Sequence, residues 1–465
     1  MASSRAGLTA EGALYEAVAR GNKDTFFFQD DPDKTLNPFE NRYDMNPAVI
    51  HELRRIPPLN GAEFGRSCEF EFEIAGDVFV KPTILIDLPT WLPPNKAEIN
   101  PVRPMKDLAG NTYGYTNGIG YFLFNKIQIF QDKLLLQEYS GDSLFATRAS
   151  RGSLNSAYLE NSLAGWHDGS IDEIGIHATP RRIRLELPFL GGNYGFPSIS
   201  MRHQPFKLRL ELRKLEEIVE SSDETATSAP TPWGSRMTDG TEVFTTLART
   251  AIASPTLQLE TRHIYTDGDT QLALRRSEIE IPYSHIYENT FTFGAADYAP
   301  LLKGVPALVT RRVDGQHPAS RLLWFLRTQN DLRTGRRWRY SPGPNSEYYV
   351  GQSLIIAGRD RETFFTSSIW NYLTHHAKED RDPGAGIGEM SWNLGDIRGR
   401  RAPYDRQPEG SVNFTTADRP TLYTSLAAAP NDTILGSPST EMTAIVDTWC
   451  LYRIEKDRGF LKFGN

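Results

Sequence analysis

The 465-residue sequence predicts an all-β protein in which two sheets pack face to face and helices occur only in loops. Two observations predict this class. Apolar and polar residues alternate without a fault over Cys68–Ile74 and again over Phe206–Leu212, so one face of each strand lies in a core and the other in water. The 37 glycines and 30 prolines are spread along the chain, as in proteins whose many short strands are joined by turns.

Several other segments have recognisable patterns. Three are denser in apolar residues and suit strands near the middle of a sandwich: Thr83–Leu88, Tyr121–Phe130 and Leu322–Leu326. Thr256–Tyr265 is a further strand, which the first sandwich needs for completion. Short helices are predicted at Ala10–Ala19, Asp269–Arg276 and Ser367–Ala377.

Charge argues against a protein that coats nucleic acid by direct contact. There are 51 basic and 58 acidic residues, a formal net charge of −7, where such a protein would carry a basic excess. The basic cluster Arg181–Arg184 alternates with apolar residues and is interpreted as the solvent-exposed face of a strand. The clusters Arg333–Arg339 and Arg398–Arg401 are predicted to lie in loops, where interface ion pairs are the favoured role.

The sequence contains no run of about 18 to 20 apolar residues and no basic segment followed by an apolar one. We therefore expect folding in a reducing cytosol. Cys68 and Cys450 fit that compartment as small apolar residues in strands.

Catalytic and metal-binding patterns are weak. His375 and His376 are adjacent, so they point in different directions on a helix, and near position i+4 only Glu379 and Asp380 could complete a metal site. The glycine-rich stretch 384–388 precedes a strand instead of a helix, which does not suit a phosphate loop. Asn413 is predicted to close a turn through backbone hydrogen bonds. The sequence thus predicts a protein that is not an enzyme, with no catalytic, cofactor-binding or metal-binding residue.

The most informative region is Gly386–Leu426. It is predicted to contain two strands, Met390–Leu394 and Thr421–Leu426, on either side of a Gly-Ser-x-Asn-Phe-Thr segment presented by a loop. Upstream, Ser353–Phe365 has the pattern of an apolar strand that ends at Gly358 and continues into a charged turn.

In order and spacing these blocks resemble the second jelly roll of the major capsid proteins of nucleocytoplasmic large DNA viruses, the iridovirus, phycodnavirus and marseillevirus type. The family's N-G-x-D-R motif is matched by Ala357–Arg361, which has Ala in place of Asn, and its P-S-G-x-x-N-F-S-R-I-D motif by Pro408–Asp418. Three other blocks resemble the family in the same order: Val18–Phe28, Leu185–Ile218 and Ala444–Phe463.

The resemblance implies a double jelly roll, that is, two consecutive eight-stranded antiparallel jelly-roll sandwiches with short helices in loops. The predicted organisation is an N-terminal arm at 1–46, a first jelly roll at 47–265 with a long loop at 220–250, a connector at 266–280 and a second jelly roll at 281–465. Phe26, Phe27 and Phe28 in the arm lack enough neighbours to be buried within it, so the arm is expected to serve assembly.

The implied function is that of a structural major capsid protein whose pseudo-hexagonal homotrimers tile an icosahedral shell. The loops at 220–250 and 331–350 are expected to be outer decorations, and Arg336, Arg337 and Trp338 are expected to contribute to trimer contacts. Expected partners are neighbouring capsomers and minor capsid, cement and penton proteins. Direct genome binding is not expected, and an inner membrane would be contacted only through other proteins. The expected location is the virion, after synthesis and assembly in the host cytoplasm.

One alternative comes from a different class: a double β-sandwich glycan-processing enzyme or lectin, since jelly rolls host both. An enzyme would need two or three acids converging on a groove, and a lectin would need aromatic platforms with Asn and Asp. The size of the purified protein separates the two interpretations. A monomer favours the alternative, and a trimer near 157 kDa, three times the 52.4 kDa chain, favours the capsid role.

Overall fold

The structure is a computed structural model, and all described residues belong to the compact unit Val49–Asn465. The described residues are 49–72, 76–89, 105–106, 112–150, 163–166, 182–190, 195–201, 205–221, 233–238, 241–246, 254–266, 268–276, 278–342, 346–374, 386–392, 410–427, 439–455 and 458–462. The predicted arm and the predicted helix Ala10–Ala19 lie outside them.

Thirteen strands precede residue 266 in the described part of the chain. They are β1 (Ile50–Ile56), β2 (Ser67–Phe72), β3 (Val78–Asp87), β4 (Met105–Lys106), β5 (Thr112–Tyr115), β6 (Phe124–Gln131), β7 (Leu134–Tyr139), β8 (Ile183–Glu186), β9 (Phe206–Leu212), β10 (Val219–Ser221), β11 (Trp233–Thr238), β12 (Thr241–Thr246) and β13 (Thr256–Tyr265). Eight of them form two four-stranded antiparallel sheets: sheet A1, in the order β1-β13-β3-β8, and sheet B1, in the order β2-β9-β6-β7.

Ten more strands follow in the described residues after 278. They are β14 (Ile279–Phe293), β15 (Ala307–Arg312), β16 (Pro318–Thr328), β17 (Tyr349–Ile356), β18 (Arg359–Thr366), β19 (Ile387–Ser391), β20 (Val412–Asn413), β21 (Thr421–Leu426), β22 (Thr440–Glu455) and β23 (Arg458–Leu461). Sheet A2 has the order β14-β22-β16-β19, with β20 and β23 added beside β16 and β22, and sheet B2 has the order β15-β21-β17-β18.

The two sandwiches have the same topology. When the eight principal strands of each are numbered 1 to 8 along the chain, sheets A1 and A2 both have the order 1-8-3-6, and sheets B1 and B2 both have the order 2-7-4-5. All pairings in the four sheets are antiparallel. The predicted fold class, a double jelly roll of two eight-stranded sandwiches, is therefore confirmed.

Helices are short and lie between strands. They are α1 (Ile119–Phe122), α2 (Gly141–Ala149), α3 (Gly268–Arg276), α4 (Ala295–Leu302) and α5 (Gln329–Arg333), with 3-10 turns at Ser198–Ser200 and Leu215–Glu217 and a π-helical turn at Ile369–Leu373. Helix α3 confirms the prediction for Asp269–Arg276, and the turn at Ile369–Leu373 lies inside the predicted helix Ser367–Ala377.

The alternating segments behave as predicted. On β2, Cys68, Phe70 and Phe72 are buried and the two glutamates between them are exposed. Strand β9 buries every second residue from Phe206 to Leu212 in the same way. Period-two alternation is sufficient to locate these strands because each has one face exposed to solvent and one face in the core.

Three local predictions are wrong. Tyr121–Phe130 is not one strand, because the buried helix α1 precedes β6. The strand predicted at Met390–Leu394 is β19, which ends at Ser391. The charged turn predicted after Gly358 is strand β18. The chain reverses one step earlier, at Ala357 and Gly358, which both have positive φ, at 53° and 74°. Two such residues make the tight turn that matches the twist of a hairpin.

Candidate functional site: the interface between the two sandwiches

The structure adds little to the candidate catalytic and metal-binding residues of the sequence. Among the described residues, no group of three or more His, Cys, Asp and Glu side chains could hold a metal ion. In the same residues no helix is long and apolar enough to cross a membrane. His375, His376, Glu379 and Asp380 lie outside the described part of the chain. The absence of an active site therefore stays a prediction.

Strand β16 identifies the surface where the two sandwiches meet. Leu322, Trp324 and Leu326 belong to the core between sheets A2 and B2, whereas Leu323 and Phe325 belong to a second cluster that includes residues of the first sandwich. Sheet A2 is therefore buried on both faces, which explains why this strand is continuously apolar. We call the face of A2 turned away from B2 its outer face.

The outer face of A2 packs against β7 and the helix that follows it, α2. The Gln137 amide on β7 donates to the backbone oxygen of Ser284 on β14 (3.1 Å), and the Phe145 ring on α2 stacks on Tyr340 with centroids 5.9 Å apart. Local sequence starts the helix, because Ser140 and Ser143 form a capping box at its N-terminus. Almost all of α2 is buried.

Asp142, in the first turn of α2, is the centre of the interface. Its carboxylate lies 2.7 Å from Arg213 and 2.7 Å from Arg327 of β16, and a third guanidinium, that of Arg337, is 3.8 Å away. Burial alone would raise the pKa of Asp142, but the charges of the arginines outweigh it and hold that pKa well below its ordinary value. One carboxylate thus joins arginines from both sandwiches inside the protein.

The other end of β16 carries a second buried ion group. Arg321 pairs with Asp447 of β22 at 2.9 Å and lies 3.7 Å from Glu389 of β19. Arg321 also donates to the hydroxyl of Ser150, the residue after α2, at 2.8 Å. Strand β16 therefore presents four side chains at alternate positions to the first sandwich: Arg321, Leu323, Phe325 and Arg327.

The residues after β16 complete the interface and correct a prediction. Arg336, Arg337 and Trp338 were expected in an outer loop that contributes to trimer contacts, but all three are buried in this chain. Trp338 donates its indole N–H to the buried carboxyl group of Glu220 (2.8 Å). Burial raises the pKa of Glu220 to about 8, against the lowering effect of Trp338 and Arg336. The expectation that 331–350 is an outer decoration is likewise wrong for this part of it.

Two single-residue interpretations are supported. Cys68 and Cys450 are both buried and free, and burial raises the pKa of their thiols to about 11 and about 12. Asn413 closes a turn, because its side-chain oxygen accepts from the backbone N–H of Thr415 at 3.0 Å.

The glycine-rich stretch is described only from Gly386. There Gly388 makes room for a ring, since an added Cβ would lie 2.5 Å from Cζ2 of Trp324.

Sequence reasoning missed Asp142, Arg213 and Glu220 as interface residues. One signal was available: Arg321 and Arg327 bound a run that is apolar on both faces, so they must share the buried outer face with Leu323 and Phe325. Asp142 lies 185 residues from Arg327 in the sequence and had no comparable signal.

No protein-family model matches the sequence, and no curated protein matches it significantly. Solved structures do match. VP54 of PBCV-1 shares 14% identity, with 92% of this chain and 100% of that chain covered and a TM-score of 0.69. The Faustovirus major capsid protein shares 12% identity over 95% of this chain and 96% of that chain, with a TM-score of 0.60. A chain of the Sputnik virophage structure shares 11% identity over 93% and 92%, with a TM-score of 0.55. At such low identity the likeness shows the fold: the chain has the double jelly-roll fold of these viral proteins.

Proposed function

We propose that this chain is a major capsid protein of a large DNA virus, which forms homotrimers of pseudo-hexagonal outline and tiles an icosahedral shell. The observation that carries the proposal is the repetition of one strand order in both sandwiches. Three such chains supply six similar sandwiches, and six similar units suit a hexagonal lattice. The likeness of the whole fold to the Faustovirus major capsid protein supports the same role.

The interface between the sandwiches suits that role. A lattice unit needs its two sandwiches held at one fixed orientation, because a flexible pair would not present six regular sides. Buried ion pairs favour one geometry, since any displacement leaves charges without partners in a medium of low dielectric. The arginines around Asp142 are in that position.

The remaining elements of the proposal extend the same idea. The domain boundaries at 1–46, 47–265, 266–280 and 281–465 are proposed on the sequence pattern. Proposed partners are neighbouring capsomers and minor capsid, cement and penton proteins, and the proposed location is the virion after assembly in the host cytoplasm. A net charge of −7 supports a shell that does not itself hold the genome.

The test is the size and the assembly of the purified protein. Sedimentation should give about 157 kDa, three times the 52.4 kDa chain, and electron microscopy of assembled material should show hexagonal arrays. A stable monomer at micromolar concentration that never forms arrays would refute the proposal and favour the glycan-processing or lectin alternative.

A further inference from the structure

The core of the second sandwich contains a polar pair of side chains. Gln352 on β17 and Thr424 on β21 lie opposite each other in the antiparallel pairing of these strands. Their neighbours two positions along, Leu354 and Leu422, belong to the apolar core between sheets A2 and B2, so the polar pair faces the same core. Gln352 is 0% exposed and Thr424 is 1% exposed.

The first sandwich provides an internal comparison. Its strands 4 and 7, which are β6 and β9, place apolar pairs against the core. Ile127 lies opposite Leu210, and Ile129 lies opposite Leu208. The shared topology can therefore fill these strands with apolar core residues, and the fold by itself does not require a polar pair between strands 4 and 7.

The polar atoms of the pair have no protein partner within the described residues. Neither the oxygen nor the nitrogen of the Gln352 amide makes a hydrogen bond there, and neither does the Thr424 hydroxyl. Burying an amide or a hydroxyl in this state costs stability, because the group gives up its hydrogen bonds to solvent and gains none in return. A bound molecule that forms hydrogen bonds with both side chains would remove that cost.

A third polar group comes from the π-helical turn Ile369–Leu373, which buries two consecutive residues, Trp370 and Asn371. The Trp370 indole N–H donates to the backbone oxygen of Gln352 at 2.9 Å, and the Tyr349 hydroxyl donates to the side-chain oxygen of Asn371. The side-chain nitrogen of Asn371 has no partner in the described part of the chain. The turn thus brings a second amide to the part of β17 that carries Gln352, and π-helical turns often occur at functional sites.

The chemistry of these groups identifies the ligand. The Gln352 oxygen accepts a hydrogen bond, the two amide nitrogens donate, and the Thr424 hydroxyl can do either. All of these side chains are neutral, so they do not compensate the charge of an ion. Water both donates and accepts, and buried water typically forms about three hydrogen bonds to groups of this kind. The Trp324 ring lies 5.9 Å from the Trp370 ring and 6.2 Å from the Tyr349 ring, so aromatic side chains surround the site inside the sandwich.

We propose that the core of the second sandwich contains an internal site for ordered water, in which Gln352, Thr424 and Asn371 supply the hydrogen bonds. The water joins two strands of sheet B2 to the turn Ile369–Leu373 and so holds the turn on the sheet. The site belongs to one sandwich, and it does not depend on the proposed capsid role.

The first test uses the sign of a stability change. Valine has the shape of threonine without the hydroxyl, so Thr424→Val should fold. If the hydroxyl binds water, its loss should lower the midpoint of chemical denaturation and reduce the folding equilibrium constant by about 2- to 12-fold. If the hydroxyl is buried without any partner, the substitution removes an unpaired polar group and should raise the midpoint instead. A raised midpoint would overturn the proposal.

Thr147→Val is the matched control. The Thr147 hydroxyl is also buried, but it donates to the backbone oxygen of Ser143 at 2.8 Å. Its removal should lower the midpoint, and this loss calibrates the effect of deleting a buried hydroxyl that has a partner. We expect the Thr424→Val loss to have the same sign and a similar size.

The second test locates the water directly. A crystallographic or electron-microscopy map of the full chain, at a resolution that shows ordered solvent, should contain a peak about 2.7–3.2 Å from the Gln352 amide and from the Thr424 hydroxyl. The map of Thr424→Val should show this peak weakened or absent. A native map in which Gln352 bonds directly to Thr424 or to another protein group, with no solvent peak, would refute the site even if Thr424→Val is destabilised. Both results leave the capsid role untouched, because that role is tested by the size and assembly of the protein.

Discussion

Sheets A1 and A2 have the same strand order, yet their outer faces differ. In A2 the outer face carries Leu323 and Phe325, flanked by two buried arginines, and is covered by the first sandwich. In A1 the outer face carries a pocket lined by charged residues together with Leu53, Val80 and Thr83. The difference teaches that strand order alone does not determine which face of a sheet is buried. That depends on whether a second surface covers it.

The first prediction removes the centre of the covered face. Asp142→Asn should destabilise the protein by about 3–5 kcal/mol, because three arginines would remain buried around a neutral side chain. Chemical denaturation measures the loss. Asp87→Asn is the matched control, since Asp87 pairs with Arg182 at 2.7 Å at the surface of the first sandwich. The control should change little, because exposed ion pairs contribute little. Equal losses in the two variants would contradict the contrast between covered and open faces.

A second prediction concerns pH and Glu220. Its pKa is raised from 4.5 to about 8 in the folded protein, so between these values the folded state binds more protons than the unfolded state. Stability from this group is therefore greatest at low pH and falls as pH rises through about 8, by roughly 2–4 kcal/mol in all. Glu220→Gln should remove this fall. Denaturation of both proteins at pH 5, 6, 7 and 8 measures the difference, and parallel profiles would show that Glu220 is not buried as described.

A third prediction, with a smaller expected loss of stability, adds one carbon to sheet A2, which is buried on both faces. Gly388→Ala should cost about 1–3 kcal/mol, since the new Cβ would overlap the Trp324 ring on β16. Gly61→Ala, where an added Cβ meets no atom within 4 Å, is the control. Thermal melting of the two variants compares them, and a neutral Gly388→Ala would mean that A2 is less tightly packed than its burial indicates.

The smallest effect is a gain in the hairpin that carries the exposed strand β18. Ala357 has a φ of 53°, in the left-handed region that Asn adopts more readily than Ala. Ala357→Asn should raise stability by about 0.3–1 kcal/mol. Ala357→Val, with its branched Cβ, should lower it. If the two variants show the same unfolding midpoint, the turn does not have the described conformation.

Much of the fold could be predicted from local pattern. Strands β9, β13 and β21 have the predicted bounds, because a half-buried strand alternates with period two and turn residues end it. The predicted helix at Asp269–Arg276 was found one residue longer. Predictions failed where local propensity and tertiary packing disagree, as at α1, which is buried and apolar like a strand.

The sequence by itself therefore determined the all-β class, the positions of the one-faced strands and the buried state of Cys68, since each depends on neighbours along the chain. Only the tertiary structure decided that Arg336, Arg337 and Trp338 are interior residues and that Asp142 joins two sandwiches. An arginine in a loop has the same local pattern whether it is solvated or buried. The guanidinium of Arg337, for example, lies 3.8 Å from the carboxylate of Asp142 in the other sandwich. That pairing exists only after both sandwiches have folded and met, because burial of a charge is favourable only when its partner is in place.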